Sequence, residues 1–405
     1  MAYRTTSWKN TDIGKIPSDW ELNLFKNTFT KYPTNSFTRD EMNDFGGSFQ
    51  NIHYGDILIK YGEILDFNKC QVPYLNSFIS KTYKTIQNGD IIIADTAEDE
   101  TVGKCVEIYN LPQNIKVLSG MHTMFCRPTN YFYPRFLGYY MNSHIYHNQL
   151  LPYITGTKVS AVSKTDIDKT YILEPPISEQ LKIAEALTDI DDLIAELERV
   201  RDKKIAIKTG AMQELLTGKR RLLGFNKPWK EVELGKICFI KTGKKDVNEG
   251  SSIGQYPFFT CAKEHTFADT FSYDTEAILI AGNGEVGHCK YYIGKFEVYQ
   301  RTYVLFNSAI NMKYQFQYLK YFFQKYIQDE IQQGAMPYIK LGTLTGFNMN
   351  IPADVEEQSA IVKILNDMDY EISAINDKIN KYKQIKSGVA GELLSGRIRL
   401  VKPQE

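Results

Sequence analysis

A chain of 405 residues with 43% hydrophobic and 13% aromatic content is long enough to bury more than one core, and roughly two to four structural units are expected. Its 48 lysines and arginines balance 48 aspartates and glutamates, so any attraction to a polyanion must come from local clusters rather than net charge. No apolar run reaches the ~18 residues of a membrane span, and the polar stretch around Lys9, Asp12 and Lys15 lacks a signal-peptide core, which together point to a cytoplasmic protein. The six cysteines (Cys70, Cys105, Cys126, Cys238, Cys261 and Cys289) form no Cys-x-x-Cys pair; reduced thiols are expected, and structural zinc is not.

In chain order, residues 55–60 and 89–94 read as short strands opened by turn residues, with the polar loop Asp95 to Glu100 after the second. Residues 136–149 carry helical periodicity. Within them His144 and His147 lack a nearby carboxylate pattern and read as surface or interface histidines rather than metal ligands. Glu174-Pro175-Pro176-Ile177 superficially resembles an amino-methyltransferase tetrapeptide, but it lacks the leading Asn or Asp and the closing aromatic that hold an extruded base. It reads instead as the end of a strand and the start of a helix.

From Glu179 to Leu216 the apolar residues Ile183, Leu187, Ile190, Ile194 and Leu197 alternate by four and three, a heptad seam. A continuous helix over this stretch spans about 55 Å at ~1.5 Å per residue, with Gly210 as a possible kink and Gly218 placed as a C-cap. A second strand-rich region follows, including residues 277–281 and 299–306. Gly282-Asn283-Gly284-Glu285-Val286-Gly287 fits the glycine-rich dinucleotide pattern, yet residues 288–293 read as another strand, not the helix that must hold a pyrophosphate. A tight turn between strands is expected there. A helical segment over 314–332 leads to Gly334 and then to a second seam of Ile361, Leu365, Met368, Ile372, Ile375, Ile379 and Tyr382.

The second half repeats the first at an offset of 178 residues: Glu179-Gln180 returns as Glu357-Gln358, Gly156 as Gly334, and Glu214-Leu215-Leu216-Thr217-Gly218 as Glu392-Leu393-Leu394-Ser395-Gly396. Across positions 179 to 222 the match needs no gap, and 17 of 44 residues are identical. Between these anchors, residues 24–155 and 234–333 share little, so a fixed scaffold carries two specialised inserts. The fold expected is α+β: two β-rich globular domains (1–173 and 223–350) separated by two long-helix regions (174–222 and 351–405) paired as an antiparallel coiled coil with pseudo-twofold symmetry. In both helices acid leads and base follows, which suits either the helix dipole or a docking surface for a partner protein. No nucleophile, metal or phosphate constellation emerges, which argues against an autonomous enzyme.

The opening Trp8-Lys9-Asn10-Thr11-Asp12-Ile13-Gly14-Lys15-Ile16-Pro17-Ser18-Asp19-Trp20-Glu21 resembles that of the DNA-specificity subunits of type I restriction-modification systems. So does the order of a Gly-containing loop, a Pro step and a Glu-Gln pair before a long helix, and so does the second start from Gly224-Phe225 through Pro228-Trp229 to Gly235. One departure is that Pro175-Pro176 is replaced by Ile351-Pro352-Ala353-Asp354 in the second copy.

The resemblance implies a non-catalytic subunit whose recognition domains each read one half of a bipartite, asymmetric double-stranded DNA target. Its helices would set the spacer and dock two modification (methyltransferase) subunits, with restriction (translocase-nuclease) subunits joining them. S-adenosylmethionine, ATP and Mg would then be bound by those partners, and no cofactor or metal by this chain. The specificity subunit of a related methyltransferase-nuclease system, a free-standing DNA-modifying enzyme and a non-DNA protein scaffold are the alternatives.

Ranked by side-chain chemistry, the candidate DNA contacts in the second domain are Lys241, Lys244 and Lys245 for phosphates, Arg301 and Asn283 for guanine and adenine edges, and Tyr338 and Lys340 beside them. In the first domain they are Lys31, Asn35, Arg39, Lys60, Thr96 and Lys158.

Overall fold

The computed structural model describes residues 2–76, 83–156, 158–329 and 337–402. They form two compact units: residues 1–197 with 378–405, and residues 198–377. Gly334 and the end of the segment 314–332 lie outside the described residues.

The first unit is built on a five-stranded sheet in the order Phe29–Tyr32, Thr123–Pro128, Ile91–Ala94, Cys105–Tyr109, Ile64–Asp66, antiparallel except for the last pair. Its central strand, Ile91-Ile92-Ile93-Ala94, is buried on both faces. Because side chains alternate along a strand, Ile91 and Ile93 join one core with Phe136, Tyr140 and Leu187, whereas Ile92 and Ala94 join another with Ile57, Val106 and Phe125. The predicted helical stretch 136–149 is two helices, Phe136–Met141 and His144–Leu150.

Residues 55–60 are not a strand. They form the helix Tyr54–Ile59, started by His53, whose ring accepts the Gly55 N–H at 3.1 Å. The helix buries Ile57 and leaves Ile59 exposed, so capping and one-sided burial override the strand preference of the Ile-Leu-Ile run.

The second unit holds a six-stranded sheet in the order Phe239–Thr242, Thr302–Phe306, Tyr273–Ala281, Cys289–Val298, Tyr256–Phe259, Thr266–Ala268. Here too the central strand serves two cores, Ile278 and Ile280 on one side and Ala277 and Leu279 on the other. Helix Met312–Tyr326 packs in the core of Ile278 and Ile280 through Tyr314, Leu319 and Phe323.

The long helices run from Ile177 to Leu215 and from Val355 to Leu394, each passing its glycine (Gly210, Gly388) without interruption. In the first unit Ile183 and Leu187 pack with Leu393 and Leu394 and with the domain core. In the second, Ile361 and Leu365 pack with Met212, Leu215 and Leu216. Within each unit the first seam residues of one helix therefore meet the last turns of the other rather than its seam, and they are inserted into the core of a globular domain. Further along, Ile194 and Ile379 are buried, while Ile190, Leu197, Met368, Ile372 and Ile375 are half-buried.

Charged pairs fix the antiparallel sense within each unit. Lys386 reaches Asp191 at 2.7 Å and Glu63 at 2.8 Å in the first, and Lys208 and Lys204 reach Asp369 and Glu371 at 2.5 and 2.6 Å in the second. The acid-then-base order of both helices thus has a direct cause: in an antiparallel pair each basic end meets an acidic beginning. Burial alone would lower the Lys386 pKa, but Glu63 and Asp191 hold it above the ordinary value.

Candidate nucleic-acid interface

In each unit the central strand ends in the same main-chain junction. In the first, Ala94 pairs with Thr123, the Asp95 N–H donates to His122 O at 3.1 Å, and the Val162 N–H donates to Asp95 O at 3.0 Å. In the second, Ala281 pairs with Thr302, the Gly282 N–H donates to Arg301 O at 2.9 Å, and the Ile339 N–H donates to Gly282 O at 3.0 Å. The next residues pair as well, Thr96 with Ala161 and Asn283 with Tyr338. Three chain segments from distant parts of the sequence are thereby joined at one end of each sheet.

In the second unit this end gathers most of the predicted residues. Arg301 and Lys340 are exposed, and Tyr338 is 40% exposed. The loop after Phe239–Thr242 joins them, because Lys245 forms a bridge with Tyr299 and its carbonyl accepts the Gln300 N–H. Gly243 is demanded there: a Cβ would lie 1.9 Å from Val298 O. Lys244 is exposed, and Lys241 is exposed with its ammonium 5.8 Å from the Phe306 ring centre. Lys245 is half-buried and engaged with Thr270 at 2.8 Å and the buried Glu297 at 3.8 Å, so it organises the loop. Asn283 is 5% exposed, which removes it from the surface that an adenine edge would meet.

The turn from Gly282 to Gly287 connects two antiparallel strands, Tyr273–Ala281 and Cys289–Val298. Gly287 has φ +76, and a Cβ there would meet Ile327 at 2.3 Å, so backbone geometry rather than phosphate binding accounts for this glycine. Beside the turn stands a cationic group that sequence reading missed. His288 is lowered from its ordinary pKa by burial and then by Lys290, Lys263 and Lys320, with Glu285 opposing them. Burial also lowers Lys290, whose ammonium donates to Ala262 O at 2.8 Å. Lys290 lies on the strand Cys289–Val298, Lys320 on the helix Met312–Tyr326 and Lys263 in a loop, so the fold gathers them and their spacing in the sequence gives no sign of it.

The predicted residues of the first unit are mostly engaged internally. Lys31 reaches Asp168 at 2.5 Å and Lys164 O at 3.0 Å. Asn35 is buried, its amide donating to Asn51 Oδ1 at 2.7 Å, which makes it a loop pin rather than a base contact. Arg39 pairs with the buried Asp56 at 2.6 Å, and Lys60 donates to Gln71 O at 3.0 Å. Thr96 and the exposed Lys158 flank the junction. His122, which sequence reading passed over, lies at the junction itself.

Two α+β units with divergent loops on a repeated helical scaffold define a recognition protein built twice on one plan. A family model for the type I restriction modification DNA specificity domain matches residues 9–208 and 226–384, and the chain belongs to this family, whose members are non-catalytic specificity subunits with DNA target recognition as their role.

Among relatives, the type I restriction enzyme EcoDI specificity subunit of Escherichia coli is 35% identical over 157 residues, 39% of this chain and 35% of that protein. The match therefore spans about a third of that protein's length. A candidate type I restriction enzyme specificity subunit of Methanocaldococcus jannaschii, MjaX, is 25% identical across 98% of both chains. The crystal structure of a type I restriction-modification S subunit from M. genitalium shares the fold, with TM-score 0.57 and 14% identity over 92% of this chain and 96% of that one. No helix among the described residues is long and apolar enough to cross a membrane.

Proposed function

We propose that each unit reads one half of a bipartite DNA target, the first through loops around His122, Thr96 and Lys158, the second through loops around Arg301, Lys244, Tyr338 and Lys340. The observation that carries this reading is the contrast between an identical junction in both units and the different side chains mounted on it. A shared frame with unlike polar tips suits two unlike half-sites, as symmetric dimers suit palindromes. Local cations supply the phosphate attraction that the zero net charge does not.

The long helices set the number of unread base pairs between the halves and present docking surfaces for two modification subunits. Methylation of adenine with S-adenosylmethionine, and translocation and cleavage with ATP and Mg when restriction subunits join, belong to those partners. The test is insertion of one heptad into both helices, which adds about 10 Å, or roughly three base pairs of unread spacer. A spacer unchanged in the methylated sequence contradicts the reading.

A further inference from the structure

We infer that His122 is a base-reading residue of the first unit, contacting a purine edge in the place that Arg301 holds in the second. The inference rests on the DNA-reading function proposed above and adds a specificity-determining residue to it. The equivalence is one of hydrogen bonds, not sequence. Both residues immediately precede a strand pair (Thr123 with Ala94, Thr302 with Ala281), and both carbonyls accept the N–H of the residue that follows the central strand.

His122 has φ +55, in the left-handed region that few residues other than glycine adopt. Such backbone conformations are held by surrounding structure and cluster at binding sites. Here the backbone is held by the Asp95 N–H, and the ring is held from two sides. Tyr54 meets it edge-on with ring centres 5.3 Å apart. Nδ1 lies 3.5 Å from Thr96 Oγ1 and 3.7 Å from Asp95 Oδ1, while Thr96 Oγ1 itself donates to Asp95 at 2.9 Å.

Despite these contacts the side chain is 47% exposed. Nδ1 faces the Asp95–Thr96 pair, so Nε2 is the nitrogen left for a ligand. With Nδ1–H turned toward the Asp95 and Thr96 oxygens, Nε2 of the neutral ring is an acceptor and suits the N6 amino group that adenine presents in the major groove, while the protonated ring donates to a purine N7 or O6. Lys31, Asn35 and Arg39 of the same unit are already committed to Asp168, Asn51 and Asp56.

The test uses the full chain assembled with its modification subunits. The methylated sequence is mapped for the wild type, and binding is then measured to duplexes carrying every single-base change in both half-sites. His122→Ala is expected to relax discrimination about tenfold at a position in one half-site, and Arg301→Ala to do so only in the other. His122→Asn retains a side chain that tolerates the left-handed backbone; it is expected to melt like the wild type and still show the relaxed position, which separates loss of the ring from loss of the fold. Unchanged discrimination at every base in both His122 variants, with a two-part wild-type target, overturns this assignment alone. A wild-type complex without a two-part target overturns the proposed function and the assignment together.

Discussion

Arg399 donates from Nε to Glu179 Oε1 at 2.8 Å, and both side chains are almost wholly buried. Asp19 accepts a further pair of bonds from the same guanidinium at 2.8 and 2.7 Å. The second unit repeats the contact between Arg221 and Glu357 at 2.6 and 2.7 Å, 178 residues earlier for the arginine and 178 later for the glutamate. Removing one partner of a buried pair leaves an uncompensated charge. Glu179→Gln is expected to destabilise the first unit by about 3 kcal/mol, read as a lower denaturant midpoint; a shift below about 0.5 kcal/mol would count against this lock.

The two tryptophans packed beside these locks are not equivalent. Trp20 Nε1 donates to Glu179 at 2.9 Å, whereas Trp229 Nε1 is buried without a hydrogen-bond partner. Trp20→Phe should therefore cost roughly 2 kcal/mol more than Trp229→Phe, the usual value of a hydrogen bond to a charged group. Equal losses in parallel thermal melts would contradict the assignment of these bonds.

Glu107 gives the first unit a pH signature. Burial raises its carboxyl from the ordinary 4.5 to about 7, although the N–H groups of Gly138 and Arg135 oppose the rise. Between those values the folded state binds the extra proton. The contribution is therefore full below about 4.5 and is lost as the pH rises through 7, a change on the order of 3 kcal/mol. Glu107→Gln should flatten that decline across pH 4.5 to 7; the same slope in both proteins would exclude Glu107 as its source.

Exposed and engaged lysines should differ in salt dependence. Lys244→Ala is expected to reduce the slope of log affinity against log salt by about 1, the loss of one phosphate contact. Lys31→Ala should leave the slope unchanged, because Asp168 already neutralises that ammonium. Binding titrations over a range of salt concentrations distinguish the two, and equal slope changes would refute the distinction.

The repeat was legible because its identical residues are those that fix geometry. Glu179, Gln180, Asp191 and Lys208 return as Glu357, Gln358, Asp369 and Lys386. In each unit the glutamine bonds a distant backbone N–H, Gln180 that of Tyr133 and Gln358 that of Asn311. The altered proline step is accommodated as well: Pro352 O accepts Gln358 Nε2 as Pro175 O accepts Gln180 Nε2, and Asp354 caps the helix by accepting the Glu356 N–H.

The recognition surface was less legible. Charge type alone cannot show that Asn35 and Asn283 point inward or that Lys31 has a carboxylate beside it. Residues 55–60 misled for a related reason, since the His53 cap lies outside the apolar run. His122 stands alone before a strand, and only the pairing of that strand with Ile91–Ala94 reveals its place.

The most direct measurement is genome-wide mapping of methylated adenines in cells expressing the chain with a type I modification subunit, compared with cells lacking the chain. One new methylated sequence is expected, made of two unlike halves separated by a fixed number of unread bases. A contiguous target, a palindrome with identical halves, or no methylation dependent on the chain would contradict it.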